Sequence, residues 1–299
     1  MLTGLNIAVI GGDARQLEVI RKLVELDGKL YLVGFDQLDH GFTGAIKSKL
    51  EEVPFHEIDT IILPVPGTAL DGHIDTVFSN EEIVLTEELL EQTPDHCQIY
   101  SGISNDYLNQ LVLKTNRKLT QLFERDDIAI YNSIPTVEGT IMMVIQHTDF
   151  TIHGSNIMVL GLGRVGMSVA RTFSHLGAHV RVGARKSKDL ARITEMGLKP
   201  FHLNELEDEV SDVDVVLNTI PYPIVNAKAI SKMPSHTLIV DLASKPGGTD
   251  FRYAEKRGIK AILAPGLPGI VAPKTAGQIL ANVLAQLLFE QLEDGKETS

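Results

Sequence analysis

Two stretches of the chain carry the same hydrophobic pattern at a fixed offset. Asn6-Ile7-Ala8-Val9-Ile10-Gly11 and Asn156-Ile157-Met158-Val159-Leu160-Gly161 each run an apolar strand straight into glycine, and each continues into apolar positions at helical spacing. A short continuous apolar run ahead of a helix is the signature of a strand buried on both faces of a parallel sheet. Second strands follow at Leu30–Phe35 and His179–Ala184. Further strands are predicted at Thr60–Leu63, Gln98–Tyr100 and Ile128–Tyr131 in the first half, and at Val213–Asn218, Thr237–Asp241 and Ala261–Leu263 in the second. Leu85–Leu90 and Asp106–Arg125 read as helices. Val137, Ile141, Val144 and Ile145 give Pro135–Thr148 helical spacing, with Pro135 suited to a first turn. From Pro273 an apolar-periodic helix runs to about Leu292, and residues 293–299 form a polar tail.

Strands alternating with helices define an α/β fold. The expected architecture is two doubly wound Rossmann-like domains joined by a connecting helix, with the C-terminal helix packing back on the first domain. In residue numbers these are 1–133 with 273–299 returning to it, a connecting helix at 134–150, and 151–272.

Bulk composition narrows the function. A chain of 299 residues, 43% of them hydrophobic, has length and apolar content for two packed cores. The net charge of −12 opposes binding to nucleic acid or an anionic membrane, so cations must be gathered locally wherever an anion binds. One cysteine, Cys97, excludes an internal disulfide and reads as a small half-buried side chain. There is no cationic lead with an apolar run at the N-terminus, and Ile279–Phe289, the longest apolar helical segment in the pattern, is interrupted by Asn282 and Gln286. A cytoplasmic homo-oligomer is expected. None of the ten histidines has a partner at metal-ligand spacing, so no metal is expected.

The two copies of the pattern diverge at their turns. In the second, Gly161, Leu162, Gly163, Arg164, Val165 and Gly166 form a G-x-G-x-x-G turn between strand and helix. Its glycines give a tight turn, room for a pyrophosphate, and close helix–strand packing, with the helix N-terminus facing the phosphates. In the first copy Asp13 replaces Gly163 and Gln16 replaces Gly166. A carboxylate there opposes a pyrophosphate by bulk and by charge. The second half is therefore read as the dinucleotide domain and the first as the substrate domain.

About twenty residues beyond the turn, Ala184 stands where an NAD-selective site places a carboxylate, and Arg185, Lys186 and Ser187 follow. That pattern favours NADP(H) over NAD(H), because a guanidinium clamps a 2′-phosphate bidentately. The bland alternative is a solvated basic loop. Loops at the other strand ends offer Asn218, Thr219 and Ile220, then Asp241, Leu242 and Ala243, then Gly266 and Pro268, to line the ribose and nicotinamide. Tight turns alone would also use these residue types. In the first half, Arg15, Thr68, Ser101 and Asn132 are candidate contacts for a small anionic substrate, although Ser and Thr are also ordinary N-caps. Glu138, at the start of the connecting helix, and Lys274, opening the last helix, are the candidate catalytic groups.

The order of these loops resembles the dipicolinate synthase A subunit family of spore-forming bacteria. The Gly161 turn, Gly183-Ala184-Arg185, Asn218-Thr219-Ile220-Pro221, the run Leu267 to Gly277, Gly11 to Arg15 and Pro64 to Thr68 carry the likeness across nearly the whole chain. The resemblance implies NADP-dependent formation of pyridine-2,6-dicarboxylate from a dihydrodipicolinate-type precursor on a branch of lysine biosynthesis. It also implies a partner, the flavoprotein-like B subunit, in the mother-cell cytoplasm during sporulation. Two other readings stand beside it. One is a D-2-hydroxyacid or alanine dehydrogenase-like reductase; against it, Ser244-Lys245 replaces the expected arginine and no histidine follows His236. The other is a non-catalytic protein that senses NADP(H).

Overall fold

The computed structural model describes residues 1–39 and 41–297, with residues 294–297 by backbone alone. The chain divides into two units, residues 1–128 with the helix that starts at Pro273, and residues 129–272.

The first unit is a six-stranded parallel sheet of β1 (Asn6–Ile10), β2 (Lys29–Val33), β3 (Ala45–Lys47), β4 (Thr60–Ile62), β5 (Gln98–Ser101) and β6 (Lys118–Gln121). Their order is β3-β2-β1-β4-β5-β6, the doubly wound arrangement that reverses direction between β1 and β4. Helices α1 (Ala14–Glu25), α2 (Glu87–Glu91) and α3 (Asp106–Lys114) connect the strands. The second unit repeats the order with β7 (Asn156–Leu160), β8 (His179–Ala184), β9 (Lys199–His202), β10 (Val215–Asn218), β11 (Leu238–Asp241) and β12 (Lys260–Leu263). Here β7 and β10 flank the reversal. Its helices are α4 (Asp126–His147), α5 (Arg164–His175), α6 (Ser187–Glu195), α7 (Leu206–Glu209), α8 (Ala227–Lys232), α9 (Phe251–Arg257) and α10 (Leu267–Val271), and α11 (Pro273–Glu297) closes the chain. Residues 298–299, the end of the expected polar tail, lie outside the described residues.

Each sheet is buried on both faces, which is why its central strands read as unbroken apolar runs. Val9, Leu32 and Ile62 face one core cluster of the first unit, while Ala8, Val33 and Ile61 face the other. The C-terminal helix completes the first of these cores, because Leu280, Leu284 and Leu288 pack with Val19, Ile20 and Leu23 of α1. Gly277 permits that approach; a Cβ there would lie 2.5 Å from the Arg15 carbonyl oxygen.

Three elements differ from the sequence pattern. Ile128–Tyr131 is not a strand but lies within α4, which begins at Asp126 with two carboxylates in its first turn. Its β-branched run is ambiguous by periodicity alone. Pro135 accordingly lies inside the helix rather than at its start, and Glu138 sits well past the first turn. The segment Asp106–Arg125 is not one helix. It stops at Lys114, where Asn116 takes φ 51° and the Arg117 N–H bonds back to the Val112 carbonyl at 2.9 Å. This left-handed cap turns the chain into edge strand β6. Lastly, α4 rather than Ile279–Phe289 is the one helix among the described residues long and apolar enough to cross a membrane by length and composition. Its Val137 and Val144 belong to the core of the second unit.

Because α11 supplies part of the first core, Leu284→Ala should lower stability by about 2–5 kcal/mol through lost burial and a residual cavity. Urea unfolding of the full chain checks this; a loss below about 1 kcal/mol would contradict the packing described.

Candidate functional site

The turn between β7 and α5 gives each glycine a separate job. Gly161 takes φ 96° and starts the turn, its N–H bonded to the Gly183 carbonyl at 2.9 Å. A Cβ on Gly166 would fall 2.2 Å from the Gly161 carbonyl oxygen, so helix and turn pack without room for a side chain. Gly163 differs, since a Cβ there would meet nothing within 4 Å. It is the N-cap of α5 and provides no side-chain cap for the helix amides. The result is open space in front of an uncapped twelve-residue helix, which suits an anion.

The same skeleton recurs in the first unit, where the Gly11 N–H bonds to the Val33 carbonyl at 2.9 Å. There the anion is built in. The Asp13 carboxylate caps α1 by accepting from the Arg15 N–H at 2.9 Å, and it receives the Arg15 guanidinium through Nε at 2.9 Å and Nη2 at 2.6 Å. Burial works against ionisation of Asp13, but hydrogen bonds from the Arg15 side chain and backbone outweigh it and hold the carboxyl below its ordinary value. Gln16 folds over Gly12, with its Cδ 2.6 Å from where a Gly12 Cβ would be.

A strap formed by Asp71 to Leu85 also crosses the carboxyl ends of β1 and β2. The Gly12 N–H donates to the Asp75 carbonyl at 2.8 Å, the Val77 N–H to the Gly12 carbonyl at 3.0 Å, and the Thr76 hydroxyl to the Gly34 carbonyl at 2.6 Å. Ile74 lies so close to Gly11 that a Cβ there would be 2.6 Å from its Cγ2. The strap occupies the position that Arg185, Lys186 and Ser187 leave open in the second unit. Sequence patterning missed it, because the segment has no periodicity.

At the carboxyl edge of the second sheet, Arg185, Lys186 and Ser187 are exposed where β8 passes into α6, whose N-cap Lys186 makes no side-chain cap. Asn218 and Asp241 are fully buried and fix the neighbouring loops. Asn218 Nδ2 donates to the Ile220 carbonyl and to Asp241 Oδ1, each at 3.0 Å. The Asp241 carboxylate also accepts from the Ala243 N–H at 3.1 Å, the Gly248 N–H at 2.8 Å and the Thr249 hydroxyl at 2.6 Å. Thr219 donates to the Leu160 carbonyl at 2.8 Å. These side chains hold the loops, and the Ile220 backbone and the Leu242 and Ala243 N–H groups are themselves bonded to Asn218 and Asp241. Gly266, at φ 71°, caps α10 and carries Leu267 and Pro268. Leu267 packs on α4 at Gly139, where a Cβ would lie 2.9 Å from its own.

Of the substrate candidates, Ser101 is fully buried and its hydroxyl bonds to the Pro64 and Ile103 carbonyls at 3.2 and 2.7 Å, which shapes the loop at Thr68. Thr68 Oγ1 and Gln16 Oε1 are buried without a hydrogen-bond partner among the described residues. Both belong to the first unit near the ends of β1 and β4. Lys274, in the first turn of α11, is exposed on the part of that helix that approaches α1 at Arg15. In the second unit, Asn132 is helical rather than in a loop, and its Oδ1 is also buried and unpartnered among the described residues. Glu138 is exposed on α4 between Ile134 and Ile141, and the first-turn place assigned to it belongs to Asp126 and Asp127. Burial pushes the Cys97 thiol up to about 11, which leaves it unreactive.

A doubly wound pair of units, one with an open glycine cradle, is the frame of a pyridine-nucleotide-dependent oxidoreductase. Residues 6–123 match the family model for the N-terminal domain of the dipicolinate synthase A subunit, and residues 128–298 match that for the alanine dehydrogenase/PNT C-terminal domain. The dipicolinate synthase A subunit of Bacillus subtilis (strain 168) is 68% identical over 99% of this chain and 100% of its own length. The solved structures of the dipicolinate synthase A subunit from Bacillus halodurans and Bacillus subtilis each superpose with a TM-score of 0.95 at 67% identity. The first covers 96% of this chain and 99% of its own, the second 98% and 99%. The chain belongs to the dipicolinate synthase A subunit family.

Two outcomes follow from this geometry. Gly163→Asp, which copies Asp13, should fold with an unchanged melting temperature, because its φ of −82° and open surroundings accept any side chain. It should weaken binding of a reduced pyridine nucleotide by at least about tenfold in a fluorescence titration. Undiminished affinity would remove the cradle from consideration. The second concerns the strap, where hydrogen bonding to Glu82, then to Asp71, raises the His73 imidazole above its ordinary value. A raised histidine stabilises fully below its unfolded value, about 6.5, and that contribution disappears as pH climbs through the folded value. Hydrogen-exchange protection of the Ile74 and Leu85 amides should therefore fall as pH rises past about 6.5, and His73→Gln should flatten the profile.

Proposed function

We propose that the chain uses NADP(H) to form dipicolinate from a dihydrodipicolinate-type precursor, together with a B subunit, in the cytoplasm of the sporulating mother cell. The family and the nucleotide-binding type of the second unit make it an oxidoreductase of pyridine nucleotides. The observation that carries the finer reading is the contrast between the two cradles: the second unit leaves its helix end open, and the first fills the same place with Asp13.

The residues fit the cofactor. The α5 turn, Gly161 to Gly166, would hold the pyrophosphate. Arg185, Lys186 and Ser187 would hold a 2′-phosphate, three residues that include two cations and no carboxylate. When bound, the nicotinamide supplies the hydride acceptor. The loops at Asn218–Ile220, Asp241–Ala243 and Gly266–Pro268 would exclude water and orient that ring.

The first unit suits a small dianion. Thr68 has a buried hydroxyl whose proton lacks an acceptor, and a carboxylate supplies one. Lys274 adds a cation beside α1. Arg15 contributes its guanidinium only as far as Asp13 leaves it unneutralised. Oxidation of the ring passes a hydride to the nicotinamide and releases a proton to solvent; the aromatic ring that results drives the step, so orientation carries most of the burden on the protein.

A rise in absorbance at 340 nm tests this, using a freshly generated dihydrodipicolinate pool and NADP+, with and without the B subunit. The wild type should reduce NADP+ in preference to NAD+. Arg185→Ala should raise the NADP(H) dissociation constant by about tenfold or more while changing NAD(H) little. Equal losses for both nucleotides would sink the 2′-phosphate assignment. Tight NADPH binding with no reduction in either mixture would favour a sensing role.

A further inference from the structure

The loop that follows β10 carries an aromatic ring on a stiff mount. In Pro221-Tyr222-Pro223 each proline fixes its own φ, and Pro223 also restricts Tyr222 to extended backbone. The segment is wedged against Gly248, where a Cβ would lie 2.4 Å from both the Ile220 and the Tyr222 carbonyl oxygens. The Ile224 and Val225 N–H groups close the loop on the Gly248 carbonyl at 3.0 and 2.9 Å. Tyr222 is nevertheless 68% exposed, the most of the six tyrosines. The loop after β4 in the first unit has the same build, Pro64-Val65-Pro66, and there Val65 packs on the core. One construction thus buries its middle side chain in the first unit and presents it in the second.

The place of the loop fixes what the ring meets. Around the cradle the strand order is β8-β7-β10. Arg185 follows the end of β8. A dinucleotide with its pyrophosphate at the Gly161 turn and its 2′-phosphate at Arg185 must therefore extend its other half over β10. The β10 loop touches that turn directly. A Cβ on Gly161 would lie 2.6 Å from Thr219 Oγ1 and 3.0 Å from Ile220 Cγ1, and Tyr222 comes two residues after Ile220.

We propose that Tyr222 packs its ring on the nicotinamide and favours the oxidised, cationic form of the cofactor. This rests on the reading that the second unit holds NADP(H) with its 2′-phosphate at Arg185. The face of a phenol ring is negative, so it attracts the positive nicotinamide of NADP+ more than the neutral ring of NADPH. A tyrosine on a fixed backbone has only two χ angles to settle, so little entropy opposes the contact.

Isothermal titration with NADP+, NADPH and 2′,5′-ADP, which carries the adenosine half alone, tests this on the full chain. Tyr222→Ala should keep its melting temperature, because the side chain is exposed. It should weaken NADP+ by about tenfold, NADPH by about threefold, and 2′,5′-ADP by less than about twofold. Tyr222→Phe should bind all three within about twofold of the wild type. Unchanged NADP+ affinity in Tyr222→Ala would overturn the proposal and leave the cofactor reading standing. So would an equal loss for 2′,5′-ADP, which marks a general disturbance of the site, or a loss for NADPH as large as that for NADP+. A loss in Tyr222→Phe matching that in Tyr222→Ala would assign the role to the hydroxyl and overturn it too. Failure of the wild type to bind any of the three would overturn the cofactor reading and this proposal with it.

Discussion

The end of one helix decides what each half of the molecule can hold. A helix N-terminus carries about half a positive charge on amides that its own turns cannot satisfy. In the second unit those amides meet open space beside Gly163; in the first they meet Asp13, itself neutralised by Arg15. The two turns share the bond from glycine N–H to the second strand, so the difference is one of occupancy rather than path. A pyrophosphate at the first unit would have to displace a carboxylate that is already hydrogen-bonded and paired. The strap from Asp71 to Leu85 then closes the adjoining edge, so the first unit is shut to a dinucleotide twice over.

Most of this frame was legible in the sequence, and for a physical reason. Strands buried on both faces tolerate only apolar residues, so β1, β4, β7, β10 and β11 announce themselves as runs. The roles of Gly161 and Gly166 follow from spacing, and the structure returns them as a positive φ and a forbidden Cβ. The failures also have causes. Ile128–Tyr131 is β-branched and apolar, and only its tertiary packing decides between strand and helix. The stop after Lys114 depends on one residue, Asn116, in a left-handed conformation that periodicity does not encode. The strap is held by backbone hydrogen bonds to Gly12 and by the Thr76 hydroxyl on the Gly34 carbonyl, neither of which produces a periodic side-chain pattern. Placing Glu138 at a helix start failed because the start itself was misplaced by the false strand.

Polar clusters alone do not mark the site, and the opposite edge of each sheet shows why. At the amino end of β1 the Asn6 N–H donates to Asp59 Oδ2 at 2.8 Å, and His96 Nε2 meets Asp59 Oδ1 at 2.7 Å. At the amino end of β7 the Asn156 N–H donates to Asp214 Oδ2 at 2.7 Å, and His236 Nε2 meets Asp214 Oδ1 at 2.9 Å. An Asn–Asp–His trio of this kind resembles catalytic machinery on paper. Its appearance in both units, whose upper edges differ so much, argues instead that it answers a need of the fold. The first strand of a parallel sheet begins with an N–H that the neighbouring strand cannot reach, and a carboxylate reaches it.

What separates the two edges is whether buried polar atoms are satisfied. An unpartnered buried oxygen costs about 1–3 kcal/mol, and a folded chain retains one only where something else repays the deficit. The Asn–Asp–His trios are paired throughout, whereas Gln16 Oε1, Thr68 Oγ1 and Asn132 Oδ1 are not. The first two lie near the carboxyl ends of the first sheet, the edge at which doubly wound folds take their ligands. The uncapped helix of the second unit sits at the corresponding edge of its own sheet. Two unmet hydrogen bonds and an unmet helix charge thus lie at the carboxyl edges of the sheets, and the paired clusters lie at the opposite edges, where the strands are merely held together.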